Sequence, residues 1–127
     1  MNYRIVAGMM VLLCLPIAAA ERQSTISGQI VDSEGASIPN ARVIIHWDPS
    51  GSTVGLRDNI GIRQDLILTS DEAGKYSAIV PAGFYDVFVS AMAFTPTAAK
   101  VRVKQEQAAI YNSKLRADPL VSRELAH

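Results

Sequence analysis

Asp71-Glu72-Ala73-Gly74-Lys75-Tyr76-Ser77-Ala78-Ile79-Val80-Pro81-Ala82-Gly83-Phe84-Tyr85-Asp86-Val87-Phe88-Val89-Ser90-Ala91 is the stretch whose pattern decides the fold. Tyr76, Ala78 and Val80 recur at every second position, and so do Tyr85, Val87, Val89 and Ala91. A repeat of two is that of a strand with one covered face. The two runs are bounded by Asp71-Glu72-Ala73-Gly74 and Pro81-Ala82-Gly83. Aspartate can bond its own backbone two residues on, proline sets φ, and glycine accepts positive φ. Both boundaries are therefore expected to be tight turns, with Gly74 and Gly83 in the permissive position.

The same period extends in both directions. Ile26, Gly28 and Ile30 alternate with Ser27 and Gln29, and Ala41, Val43, Ile45 and Trp47 share one face; Leu66 and Leu68 follow. Ala99, Val101 and Val103 point inward, with Lys100, Arg102 and Lys104 outward, and a last strand is expected over Ala108 to Leu115. Pro39 keeps the preceding residue extended and delivers the chain into the second strand. Seven short strands, each with one wet face, predict an all-β, antiparallel sandwich. Helix is expected only in the tail, residues 116–127, where Asp118 caps and Pro119 takes the first helical position.

Three motifs carry a family resemblance: Gly28-x-Ile30-x-Asp32-x-x-Gly35-x-x-x-Pro39-x-Ala41-x-Val43, Thr69-x-Asp71-x-x-Gly74-x-Tyr76, and Pro81-x-Gly83-x-Tyr85-x-Val87-x-Val89-Ser90-Ala91. The pattern resembles the carboxypeptidase regulatory-like domain, a transthyretin-like β-sandwich, over about residues 25 to 115. The resemblance implies a module that is mostly non-catalytic and attached to peptidases, transporters and surface proteins. Such domains often show Gly-Phe-x-Pro after the fifth strand, where this chain has Ala93-Phe94-Thr95-Pro96. The 127 residues contain no peptidase domain beside the module, so a regulatory role toward a covalently attached enzyme is not expected.

Residues 1–20 read as a signal peptide. Arg4 precedes an apolar run from Ile5 to Ile17, and Ala18-Ala19-Ala20 stands before Glu21, so cleavage is expected after Ala20. The apolar run is shorter than the roughly 20 residues of a spanning helix. The expectations are a secreted or periplasmic protein without a transmembrane segment, a sandwich domain over 21–115 and a tail over 116–127. Cys14, the one cysteine, falls inside the leader and lacks the small preceding residue that lipidation requires. Disulfides and cysteine-based metal sites or nucleophiles are then excluded from the mature chain. Its 127 − 20 = 107 residues suit one domain. Removing the leader takes Arg4 and no acid, so net charge falls from 0 to about −1, with the signs interspersed. Nucleic acid binding calls for a concentrated basic surface and is not expected.

Catalytic chemistry finds few candidates. The mature chain has only His46 and His127, and no cluster of histidines and carboxylates for a metal is visible. His46 is out of phase with Val43, Ile45 and Trp47 and is expected to face outward. No Gly-x-Ser-x-Gly elbow is present. A transthyretin-like purine-pathway hydrolase, 5-hydroxyisourate hydrolase, is the remote enzymatic alternative. Its C-terminal Tyr-Arg-Gly-Ser mark is not matched by Leu115-Arg116-Ala117-Asp118. The expectation is a non-enzyme with no cofactor and no metal.

Asp48 to Gln64, between the second and third strands, exceeds the ~12–15 residues of an ordinary connection. It holds glycines at 51, 55 and 61, apolar Leu56, Ile60 and Ile62, and polar Arg57, Asp58, Asn59 and Arg63. Two readings stand side by side: a structural cover over one sheet face, and a recognition loop. Trp47, ending its strand beside Asp48, is either the central filler of the sandwich or a stacking platform for sugar. Tyr76 and Tyr85 share phase with the core and are expected to be packed rings. The candidate binding residues are Trp47, Asp48, Arg57, Asp58, Asn59 and Arg63.

Ile44, Ile67, Ile79 and Phe88 lie opposite the inward set of their strands. Uncovered, they would form a protein-contact patch; the alternative is cover by the long loop or by the tail from Pro119 to Leu125. The reading is an exported, non-catalytic module that binds a protein or a cell-envelope component, with carbohydrate binding as the alternative.

Overall fold

The computed structural model describes residues 23–50 and 61–120. The expected leader with its cleavage site, loop residues Leu56, Arg57, Asp58, Asn59 and Ile60, and the tail beyond Leu120 lie outside the described residues. Eight strands follow in order: β1 (Thr25–Asp32), β2 (Arg42–Trp47), β3 (Leu66–Thr69), β4 (Lys75–Ile79), β5 (Gly83–Ser90), β6 (Thr97–Val103), β7 (Ala108–Ile110) and β8 (Ser113–Leu115). One sheet runs β3-β2-β5-β6, antiparallel throughout. In the other, β1 is central, with β4 antiparallel on one side and β7 and β8 parallel on the other.

Two expectations are corrected here: seven strands are eight, and the sandwich is not purely antiparallel. Alternation shows which residues face inward and is silent on strand direction, so the parallel return beside β1 left no mark in the pattern. The expected strand Ala108 to Leu115 is interrupted without losing register. Ser27 pairs with Ile110 before the break and Ile30 with Ser113 after it, the same offset. Tyr111 N–H still donates to the Ser27 carbonyl at 2.8 Å. In a regular parallel ladder the Tyr111 carbonyl would then accept Gln29 N–H. Instead it accepts the Tyr76 hydroxyl at 2.5 Å, and Gln29 N–H donates to Asn112 Oδ1 at 2.9 Å. Gly28 makes room for this exchange, because a Cβ there would lie 1.8 Å from the Tyr111 oxygen and 2.7 Å from the Tyr76 hydroxyl.

The core is the inward set that the alternation marks, joined by Leu115, whose direction the alternation does not assign. Ile26, Ile30, Val43, Ile45, Tyr85, Val87, Val89, Val103 and Leu115 are buried, with Trp47, Leu66, Leu68 and Val101 packed against them. The Tyr85 hydroxyl donates to the Pro81 carbonyl at 2.6 Å, and burial pushes its pKa up to about 12. Burial also raises that of Tyr76. Buried Ser70 donates to the Ile38 carbonyl and accepts Ala41 N–H, joining two loops at one end of the sandwich.

Gly74 takes positive φ (+74°), as its turn requires, and Asp71 Oδ1 accepts the N–H groups of Ala73 and Lys75. Gly83 does not. It is the first residue of β5, opposite Val103, and the positive-φ glycines among the described residues are Gly35, Gly61 and Gly74. The turn before β5 is tied by the Tyr85 hydroxyl instead, a tertiary bond that the dipeptide chemistry of Pro81 and Gly83 does not announce. At the tail, Asp118 Oδ1 accepts Leu120 N–H at 2.9 Å, an N-cap bond of the expected kind.

Candidate binding face

Antiparallel register places residues of one phase in rows across a sheet. On the outer face of β3-β2-β5-β6, Ile67, Ile44, Phe88 and Ala98 stand directly opposite one another in strand order, an apolar row four strands wide. Ile67 is 65% exposed and Phe88 44% exposed; cover by loop residues 51–60 or by the tail beyond Leu120, the alternative reading, lies outside the described residues. Ile79, also exposed, lies on β4 in the other sheet. The four out-of-phase residues thus belong to two faces, and three of them form one row.

Beside the apolar row runs a charged one. His46 pairs with Asp86, and Asp86 with Lys100. His46 Nδ1 meets Asp65 Oδ1 at 2.7 Å, and Lys100 Nζ meets Asp86 Oδ1 at 3.1 Å. Lys100 also hydrogen-bonds Asp48 Oδ2, and Asp48 Oδ1 accepts both the hydroxyl and the N–H of Ser50. The Lys100 hydrogen bond, with the Ser50 bonds behind it, holds the Asp48 carboxyl at about 2, below its ordinary 3.8. The bond to Asp48, then that to Asp86, raises the Lys100 pKa. Farther along, the Arg102 guanidinium sits 5.4 Å from the centroid of the Phe84 ring, and Phe84 is opposite Arg102 in register. On the opposite flank of the apolar row stand Arg42, Thr69 and Ser90.

Of the residues nominated from sequence, Asp48 joins this charged corner, and Arg63 is exposed at the end of the long connection. Trp47 is packed against the core. A Cβ on Gly61 would lie 2.1 Å from the indole carbons Cδ2 and Cε2, so the Gly61 backbone rests on the ring. Arg57, Asp58 and Asn59 lie outside the described residues. Sequence reasoning read Lys100 as an outward residue and did not bring Asp65, Asp86 and Lys100 together as partners. The available signal was the outward phase of each; their meeting depends on register.

A shallow depression of about 460 Å³ lies on the other sheet, lined among others by Ser27, Gln29, Lys75, Ser77 and Asn112. Ser27 and Ser77 are cross-strand partners, so two short hydroxyl side chains form its floor. Among the described residues no three His, Cys, Asp or Glu side chains converge as metal ligands, and no helix is long and apolar enough to cross a membrane.

Residues 25–116 match the model of the carboxypeptidase regulatory-like domain. No curated protein matches the chain. Among solved structures, the chain is similar to the TIE protein of Bacillus anthracis, at TM-score 0.56 and 14% identity over 76% of this chain and 17% of that one. It is also similar to 3-chlorocatechol 1,2-dioxygenase from Rhodococcus opacus 1CP, at TM-score 0.52 and 12% identity over 81% of this chain and 64% of that one. Catechol 1,2-dioxygenase from Pseudomonas arvilla C-1 gives TM-score 0.54 and 12% identity over 80% and 55%. The chain spans only part of each, and at such identities the likeness shows the fold alone.

Proposed function

This chain belongs to the carboxypeptidase regulatory-like domain family, and from that premise we propose that it is an exported, non-catalytic module that binds another protein through the outer face of β3-β2-β5-β6. The observation that carries the reading is the row Ile67, Ile44, Phe88 and Ala98, apolar across every strand of that sheet and open to water at both Ile67 and Phe88. Contiguous exposed apolar surface marks contact sites, and the flanking charges supply the polar rim that such sites carry. Most of those charges already pair within the face, so they act in orientation more than in affinity. Export rests on Arg4, the apolar run to Ile17 and the Ala18-Ala19-Ala20 ending, which suit a periplasmic or secreted module.

The test is photocrosslinking in the exporting cell, with a photoreactive phenylalanine analogue placed at Phe88 or Ile67, and at Ile79 as control. A discrete protein adduct from the first two positions and none from the third is the expected result. Failure to crosslink from both Phe88 and Ile67 would overturn the reading. N-terminal sequencing of the same material is expected to begin at Glu21.

A second reading, carbohydrate binding, is favoured by a different observation: the hydroxyl and amide groups of Ser27, Ser77, Gln29 and Asn112 around one depression. It moves from Trp47 to this depression, because Gly61 occupies a face of the indole. Oligosaccharide binding that Lys75→Ala or Ser77→Val weakens would support it.

A further inference from the structure

We propose that the cleft between the β5–β6 connection and the end of β8 binds a phosphate group. The cleft has a volume of about 440 Å³ and is lined by Thr95, Thr97, Lys114, Arg116, Ala117 and Pro119. Its cationic wall comes from alternation: Ser113 and Leu115 are buried in β8, which turns Lys114 outward, and Arg116 follows two residues on and is exposed as well. The wall is held by backbone. Lys114 is in register with Val31 of β1, and Thr95 N–H donates to the Arg116 carbonyl at 2.8 Å. Phe94 and Ala117 form an antiparallel bridge, and Asp118 N–H donates to the Ala93 carbonyl at 2.9 Å. The two walls are thus stitched together, and Thr95 and Thr97 line the cleft with the cations; Thr97 Oγ1 accepts the Tyr111 hydroxyl at 3.5 Å, which leaves its own O–H to donate.

Two cations share this cleft, and neither is neutralised by the described residues. Lys100 is paired with Asp48 and Asp86, and His46 with Asp65, whereas Lys114 and Arg116 enter no ion pair among the described residues. No carboxylate among the described residues lines the cleft. In a chain whose formal charge is zero, two unpaired cations in one concavity are a local field, the condition for concentrating an anion. A guanidinium offers a planar fork, an ammonium a compact charge and two threonines hydroxyl donors. Donors of these kinds on opposite walls suit a tetrahedral oxyanion, which presents acceptors in several directions, better than a planar carboxylate that one arginine fork can satisfy. The volume exceeds that of the bare anion, leaving space for an ester substituent.

The experiment titrates the full, isotope-labelled chain with sodium phosphate at ionic strength held constant by chloride, followed by NMR. Saturable shifts centred on the amides of Thr95, Thr97, Lys114 and Arg116 are expected. The Lys114→Ala, Arg116→Ala double variant is expected to bind about tenfold more weakly or worse. Its fold should persist, since both side chains are exposed and Arg116 holds the loop through its carbonyl. Arg116→Lys keeps the charge without the fork, so an affinity below the parent's supports the site, and an affinity equal to the parent's counts against it, even if the double variant misfolds. Glycerol phosphate in place of inorganic phosphate separates the sources: tighter binding identifies an ester, and equal binding the free anion. Shifts that grow without saturating and spread over all basic residues, or a folded double variant that titrates like the parent, would overturn the proposal.

Discussion

Ala93 holds φ at +70°, a left-handed conformation that costs an L-residue about 1–2 kcal/mol and glycine almost nothing. It stands where the family often carries glycine, and its carbonyl takes the N–H of Asp118. Ala93→Gly is therefore expected to stabilise the protein, by ~0.5–1 kcal/mol once the greater freedom of glycine in the unfolded chain is set against the relieved strain. Denaturant titration of the two proteins measures it; equal stability would mean that Ala93 is not strained. Asp48 makes a prediction in pH. Its carboxyl is held at about 2 against 3.8 ordinarily, so its contribution is complete above about pH 4 and is lost as pH falls through about 2. Melting temperature against pH should fall less steeply in that window for Asp48→Asn than for the parent. His46 was legible as outward from phase alone, but its partner Asp65, nineteen positions away, was not.

At the scale of elements, the break between β7 and β8 is a substitution of partners. Tyr76 supplies the proton that the Tyr111 carbonyl accepts, Asn112 accepts the one that Gln29 donates, and Gly28 leaves the space. Gly28→Ala puts a methyl group where the Tyr111 carbonyl stands. It is expected to destabilise by about 3 kcal/mol or more, the range of overpacking at a rigid backbone contact. Tyr76→Phe removes only the hydroxyl and is expected to cost about 1–2 kcal/mol. Thermal and chemical melts of both variants check the order; a Gly28→Ala protein as stable as the parent would refute this account of the break. From sequence, Gly28 was an inward strand position and Tyr76 a packed ring, both correct in phase. That the two meet under Tyr111 depends on a parallel pairing across more than eighty residues, which no local pattern encodes.

Over the whole molecule, two kinds of apolar residue occupy the same strands. Ile45 is buried and Ile67 exposed, although they lie on neighbouring strands of one sheet. The combined Ile67→Glu, Phe88→Glu protein is expected to melt within a few degrees of the parent, since exposed positions change stability by only ~0.5 kcal/mol each. Ile45→Ala is expected to cost about 2–5 kcal/mol. Calorimetry of the three proteins distinguishes a functional face from a buried one, and loss of folding on the Glu substitutions would show that the row is part of the core.

The phase of the strands up to Val103, their inward set from Ile26 to Val103, the Gly74 turn and the family were determined by the sequence alone, because side-chain direction in a strand is a local property with a period of two; the last strand was legible only as a span, and its split and the burial of Leu115 were not. The arrangement of outward residues was decided only by tertiary structure. Which residue stands opposite which depends on strand order, direction and register, and these are set by the closing of long loops and by which buried faces fit together. The row Ile67-Ile44-Phe88-Ala98, the link of Lys100 to Asp48 and Asp86, and the cleft between Thr97 and Lys114 all arise at that level.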